Sequence, residues 1–423
     1  MTAFSADHSG GRLEDDPIMR KMLSAAGIAA FFLLISCSAK KLPSNAVERF
    51  SDYFVNPTSH KLDSLARWNC SRHEWDSIIA QAHAIQTRPG EFAQLLTDSA
   101  GLTYSLGFKT PATIRPDTLY PLIVYLHGGV GTAIANKGEK AWDMLSPLSD
   151  SLQIFLASPS GNRQAPWWSP LGIGRIMQTV RYMALKYPID PMRIFLAGVS
   201  DGTTGCYAVA NACGSPFAGF LAVSGYGGIL PQMKIPLFPS NLMQRPIYNC
   251  NAGKDDHFPI AYVNQFLNWL DSNGVMVTRS FYPEEKHGFD YREKEFGKIA
   301  ALLRAWQRPD TRGVSCSFFP GYPASADHCV SWEYAGQKTT FPYIRAHWVN
   351  DTIVIETAML KSITLSFDSL RTPDRIFVKV NSQKPQPSGS LAFDARTRLR
   401  SVIDGCVLRP LGRDRMFRIQ CEK

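Results

Sequence analysis

The sequence predicts an α/β fold: a doubly wound, mostly parallel sheet, followed by a small all-β, sandwich-like domain. Three observations predict it. The largely apolar run Arg193-Ile194-Phe195-Leu196-Ala197 enters Gly198-Val199-Ser200-Asp201-Gly202, and a helix-compatible segment follows. On either side of that turn, from about residue 101 to 309, apolar runs of strand length alternate with helical periodicities. Such alternation is the pattern of parallel strands joined by helices. After residue 309 the pattern changes to short β runs broken by turn residues, at 352–357, 362–367, 376–381 and 416–419.

Taken in order, the chain opens on a targeting segment, residues 1–37. Met19-Arg20-Lys21 is a basic start, and the apolar run 23–35 is too short to span a bilayer. The run ends in Leu34-Ile35-Ser36-Cys37, which resembles the lipobox of bacterial lipoproteins. That resemblance implies that Met19 is the true start, that Cys37 carries lipid, and that the protein is exported and anchored at the cell envelope. Residues 38–100 read as a tether, rich in Pro, Ser and Asn to about residue 60, and then as helix: Leu62, Leu65, Trp68, Trp75, Ile78, Ile79 and Ala82 recur at helical spacing. Strands are expected at 102–108, 122–126, 154–158, 193–197, 219–224, 247–251 and 275–282. Helices are expected at 176–187, 203–213, 260–271 and 291–306. The segment 229–245 is a short insertion, which leaves little room for a cap and predicts an open site. Residues 310–423 form the β-rich tail.

The turn at 198–202 is the sequence form of a nucleophile elbow. Its central residue is held in a strained conformation, so its neighbours must be small, and Gly198 and Gly202 are. A serine hydroxyl is a poor nucleophile without a base in contact, and the base needs a carboxylate to fix its tautomer. Both types occur downstream at expected strand ends. The strand 247–251 runs into Gly253-Lys254-Asp255-Asp256-His257-Phe258-Pro259, and the strand 275–282 into Pro283-Glu284-Glu285-Lys286-His287-Gly288. His287 is the expected base. The spacing to Pro259 favours Asp255 as the acid, and counting forward from Gly253 favours Asp256; Asp255 is preferred. His257 competes as a base but abuts the acid loop, and reads as a site-wall or surface residue.

Upstream, an apolar strand ends in His127-Gly128-Gly129, which resembles the oxyanion loop of lipases and esterases. With the elbow and its partners, residues from about 100 to 306 resemble an α/β-hydrolase of the secreted esterase and phospholipase/carboxylesterase type. Prolyl-oligopeptidase-like peptidases share that catalytic core. The resemblance implies an oxyanion hole made from the N–H of Asp201 and that of Gly129 or Val130, and a bracing role for His127. One departure is Thr203, where many relatives have a second glycine after the elbow.

Trp167-Trp168 lies on the loop after the strand 154–158, where in this topology it borders the site. Both are candidates to stack on a sugar or aromatic acyl group. The nine cysteines of the chain, with Cys37 set aside, leave pairings that sequence cannot choose; Cys316–Cys329 and Cys406–Cys421 are the expectation. A net charge of +9 includes arginines at 396, 398, 400, 409, 413, 415 and 418, but no nucleic-acid motif accompanies it. No metal-ligand spacing occurs and no cofactor is implied. The expected activity is hydrolysis of carboxylic esters, with acyl groups on polysaccharides as candidate substrates. A serine peptidase or a non-catalytic envelope binding protein are the alternatives.

Overall fold

A computed structural model describes residues 42–309, 313–335, 341–368, 372, 375–389, 394–404 and 414–421. The segment 19–35, Cys37 and Cys406 lie outside the described residues. Among the described residues, no helix is long and apolar enough to cross a membrane.

Among the described residues three helices come first: α1 (Ala46–Val55), α2 (Ser59–Ala66) and α3 (Arg72–Ala82). α1 falls within the stretch read as tether. It forms because Phe50, Tyr53 and Phe54, at spacings of three and four, bury one face. Thr58 caps α2, accepting the Lys61 N–H, and Ser71 with Glu74 makes a reciprocal capping box on α3.

The sheet then assembles from β1 (Gly90–Thr97), β2 (Thr103–Thr110), β3 (Tyr120–Leu126), β4 (Phe155–Pro159), β5 (Ile189–Val199), β6 (Gly219–Val223), β7 (Ile247–Ala252) and β8 (Val277–Tyr282). Between them lie α4 (Ser146–Leu152), α5 (Pro170–Lys186), α6 (Asp201–Cys213), the short α7 (Pro239–Leu242) and α8 (Ile260–Ser272), with α9 (Arg292–Ala305) after β8. The strand order is β1-β2-β4-β3-β5-β6-β7-β8. β2 runs antiparallel to both β1 and β4, and from β4 to β8 every pair is parallel.

The central strands read as unbroken apolar runs because both their faces are covered. In β3, Leu122, Val124 and Leu126 enter one core while Ile123 and Tyr125 enter the core on the opposite face. β5 divides in the same way, with Ile194 and Leu196 on one side and Phe195 and Ala197 on the other. β1 lacks such a run: at the sheet edge it buries little beyond Leu96, and so carries no strong sequence signal.

The β-rich tail comprises β9 (Val314–Ser317), β10 (Cys329–Tyr334), β11 (Tyr343–Val349), β12 (Thr352–Ala358), β13 (Leu360–Asp368), β14 (Arg375–Val380), β15 (Gln386–Gly389), α10 (Ala395–Asp404) and β16 (Asp414–Gln420). Its strands make a three-stranded sheet, β10-β13-β16, and a five-stranded sheet, β15-β14-β12-β11-β9. Ile344, Ile353, Ile355 and Ile376 of the larger sheet share one core with Ile363, Leu365, Phe417 and Ile419 of the smaller, so the two pack face to face. The pairing Cys316–Cys329 does not form. Cys316 is a buried thiol, and burial holds its pKa well above the ordinary value. The tail is tied to the parallel sheet by a buried ion pair, Arg245 to Asp327 at 2.7 Å, and by Asn241, whose amide donates to the Ser317 carbonyl at 2.8 Å.

Candidate active site

Gly129, Ser200, Asp255 and His287 lie just past the carboxyl ends of the parallel strands β3, β5, β7 and β8, where such sheets bind ligands. Ser200 follows β5 and caps α6 with φ 58° and ψ −122°, a conformation that L residues rarely adopt. The turn closes only because its flanks lack side chains. A Cβ on Gly198 would lie 2.3 Å from the Gly202 carbonyl oxygen, and one on Gly202 would lie 2.1 Å from that of Leu126. Thr203, the departure from the second glycine, is buried, and its hydroxyl donates to the Gly198 carbonyl at 3.0 Å.

Ser200, His287 and Asp255 form one hydrogen-bonded chain. His287 Nε2 is 3.1 Å from Ser200 Oγ, and His287 Nδ1 is 2.8 Å from Asp255 Oδ2. The other carboxylate oxygen, Asp255 Oδ1, accepts the backbone N–H groups of His257 at 2.9 Å and Phe258 at 2.8 Å. Asp255 is thus buried with both oxygens engaged, whereas Asp256 is exposed. The acid and histidine loops are bonded directly to each other. Gly253 N–H donates to the Tyr282 carbonyl at 2.8 Å and Lys254 N–H to that of Glu285 at 2.9 Å. Gly253 permits this approach, since a Cβ there would lie 2.3 Å from the Pro283 oxygen. The exposed His257 ring packs edge-on to His287 with centroids 4.6 Å apart, forming a wall of the site.

The loop after β3 closes the other side. A Cβ on Gly128 would come within 2.9 Å of the Ser200 Cβ, so only glycine lets this backbone reach the hydroxyl. Gly129 has φ 65°. Its N–H and that of Asp201 donate to no acceptor among the described residues. Val130 differs from expectation: its N–H is taken by the Asp201 carboxylate, Oδ2, at 2.8 Å. That bond occupies the Val130 N–H and ties the elbow to the loop. Lys137, which the sequence did not single out, donates from Nζ to the Gly129 carbonyl at 3.1 Å.

His127 and Trp167 brace this loop from behind. His127 Nδ1 faces the Gly128 carbonyl at 2.9 Å and Nε2 accepts the Gly161 N–H at 3.1 Å, a pair of partners that suits the neutral ring. Trp167 is fully buried, and its Nε1–H donates to the His127 carbonyl at 2.8 Å. Trp167 is therefore a core residue and not a stacking platform, because no face of its ring reaches solvent. Trp168 is half-buried against the same core.

Burial lowers the His127 pKa to about 4 from 6.5. Between those values the unfolded chain binds a proton that the folded chain refuses, so stability falls as pH drops from 6.5 toward 4. The loss approaches about 3 kcal/mol at the acid end. The acid limb of Tm against pH, measured by thermal unfolding, is expected to be shallower in His127→Gln than in the natural protein. An unchanged limb would show that His127 titrates normally.

Among the described residues, no group of three or more His, Cys, Asp or Glu side chains is placed to hold a metal. A cavity of about 240 Å³ lined by Met177, Arg181, Cys213 and Ser325 includes no residue of the Ser200 chain.

Residues 173–310, which include Ser200, Asp255 and His287, match the model of the dienelactone hydrolase family. A bifunctional acetylxylan esterase/xylanase from Neocallimastix patriciarum is 24% identical over 243 residues, 54% of this chain and 32% of that protein. A poly(3-hydroxyalkanoate) depolymerase from Paucimonas lemoignei is 30% identical over 115 residues, 25% of this chain and 28% of that protein. The chain thus spans about a third of the length of the curated relatives it matches. A solved thermostable esterase aligns at a TM-score of 0.41 and 19% identity, over 52% of this chain and 63% of its own. The sheet order and the strained serine just after β5 are those of an α/β-hydrolase fold, and within it the segment 173–310 is similar to the dienelactone hydrolase family.

Proposed function

We propose that this protein is a serine hydrolase that cleaves carboxylic esters through an acyl-enzyme. The observation that carries the reading is the unbroken chain from Ser200 Oγ through His287 to the buried Asp255, beside an unoccupied Gly129 N–H. Ser200 Oγ attacks the ester carbonyl carbon as His287 Nε2 takes its proton. The N–H groups of Asp201 and Gly129 stabilise the oxyanion, and losing one such donor typically costs on the order of a hundredfold in rate. Collapse of the tetrahedral intermediate expels the alkoxide, which takes the proton from His287. Water, deprotonated in turn by His287, then attacks the acyl carbon; the acyl–Oγ bond breaks, His287 returns the proton to Ser200 Oγ, and the acid leaves. The similarity to an acetylxylan esterase supports an ester borne on a polysaccharide. The Leu34-Ile35-Ser36-Cys37 run supports export and a lipid anchor at Cys37.

The test is kcat/KM for p-nitrophenyl acetate, methyl ferulate and an X-Pro amide, on the natural protein and on Ser200→Ala side by side. Ester turnover that disappears in the variant is expected. Faster turnover of the amide would assign a peptidase, and no Ser200-dependent turnover of any substrate would leave a binding protein.

A further inference from the structure

Helix α8 begins just past the acid loop and carries aromatic side chains at Tyr262, Phe266 and Trp269. Spacings of four and three place them on one helical face. That face forms one wall of a cleft of about 470 Å³, and Tyr226, Pro231 and Leu237 form the other. Phe266 is the buried floor, with its ring 5.8 Å from Tyr226 and 6.0 Å from Trp269, which stacks on it at 19°. Tyr262 is 59% exposed, so a ring face is open to solvent. The exposed amides of Gln232 and Gln265 are part of the polar lining, and among the described residues no charged side chain lines the cleft.

The cleft includes no residue of the Ser200 chain, but Tyr226 in its wall connects to that chain through its neighbours. Gly225, the residue before Tyr226, lies against the elbow: a Cβ there would sit 3.0 Å from the Ser200 carbonyl oxygen. The Tyr226 ring meets Phe258 at 5.9 Å, and Phe258 meets the His287 ring at 5.7 Å. Gly228 makes room for the Tyr226 ring, which a Cβ would contact at 2.6 Å.

We infer that this cleft binds a neutral oligosaccharide, the sugar chain that bears the scissile ester. The inference rests on the ester-hydrolase reading above. A pyranose ring has apolar C–H faces and a rim of hydroxyls. It therefore matches open aromatic faces that carry polar groups at their edges. The phenol groups of Tyr226 and Tyr262, the indole N–H of Trp269 and the two amides supply such edges. A chain with net charge +9 that lines this cleft with uncharged groups is not built there for an acidic sugar.

Binding is measured apart from catalysis by calorimetric titration of the Ser200→Ala protein with xylotetraose, cellotetraose and mannotetraose. At least one is expected to bind, and adding Tyr262→Ala or Gln265→Ala, both at exposed positions, weakens it about tenfold. In the active protein the same substitutions raise KM for the acetylated form of that sugar about tenfold more than KM for p-nitrophenyl acetate. No binding of any of the three, or binding that neither substitution weakens, overturns the inference. An increase confined to methyl ferulate also overturns it and assigns the cleft to an aromatic acyl group. If ester hydrolysis independent of Ser200 defeats the functional reading, the titration still decides the cleft by itself.

Discussion

Ser200→Ala is expected to lower kcat for p-nitrophenyl acetate by about 10⁴- to 10⁶-fold. His287 Nε2 has Ser200 Oγ as its partner at 3.1 Å, so without that oxygen the base has only water to activate. The oxyanion donors and the cleft survive the substitution, and the residual rate is what they supply. Ser200→Gly sharpens the test, because it separates the nucleophile from the backbone that presents it. The strain at φ 58°, ψ −122° is of a kind that costs about 1–3 kcal/mol for a non-glycine residue. Glycine relieves it and gives back roughly 0.5–1 kcal/mol through the freer unfolded chain. Ser200→Gly should therefore be as inactive as Ser200→Ala yet unfold at a higher Tm, by about 1 kcal/mol of stability. Retained turnover in either variant would remove Ser200 as the nucleophile. A lower Tm in the glycine variant would show that the elbow is not strained.

The strands that carry the site were legible because their environment is simple. β3 and β5 are covered on both faces, so every position is apolar and the run is unmistakable. The elbow is legible for a local reason: a Cβ at Gly198 or Gly202 would lie only 2.3 or 2.1 Å from a carbonyl oxygen, and that exclusion is written as glycine. What depends on contacts between distant segments was not legible. Whether Asp255 or Asp256 meets His287 is decided by backbone bonds from Gly253 and Lys254 to the loop after β8. The Val130 N–H looked available until the fold brought the Asp201 carboxylate to it. Trp167 read as a platform because a loop tryptophan beside a site looks exposed; His127 and the core bury it. In α8 the sequence placed a helix, but which of its side chains face solvent depends on the fold. Tyr262 and Trp269 turn out to face a cleft.

Asp255→Asn is the second large effect, with kcat falling about 10⁴-fold while KM and Tm change little. The asparagine carbonyl can still accept the His257 and Phe258 N–H groups that now reach Asp255 Oδ1, so the loop keeps its shape. The change falls on the other oxygen, which lies 2.8 Å from His287 Nδ1. An amide nitrogen there offers a proton where the imidazole also holds one. The ring escapes the clash by moving its proton to Nε2, which then points a donor at Ser200 Oγ and can no longer take the hydroxyl proton. The positive charge that develops on His287 during attack also loses its counter-charge. Asp256→Asn is the control: that side chain is exposed, and the substitution should change kcat by less than about twofold, as for ordinary surface positions. The two variants make the roles separable by rate alone. A large loss at Asp256, with activity kept in Asp255→Asn, would mean that the acid loop rearranges before the histidine takes its proton.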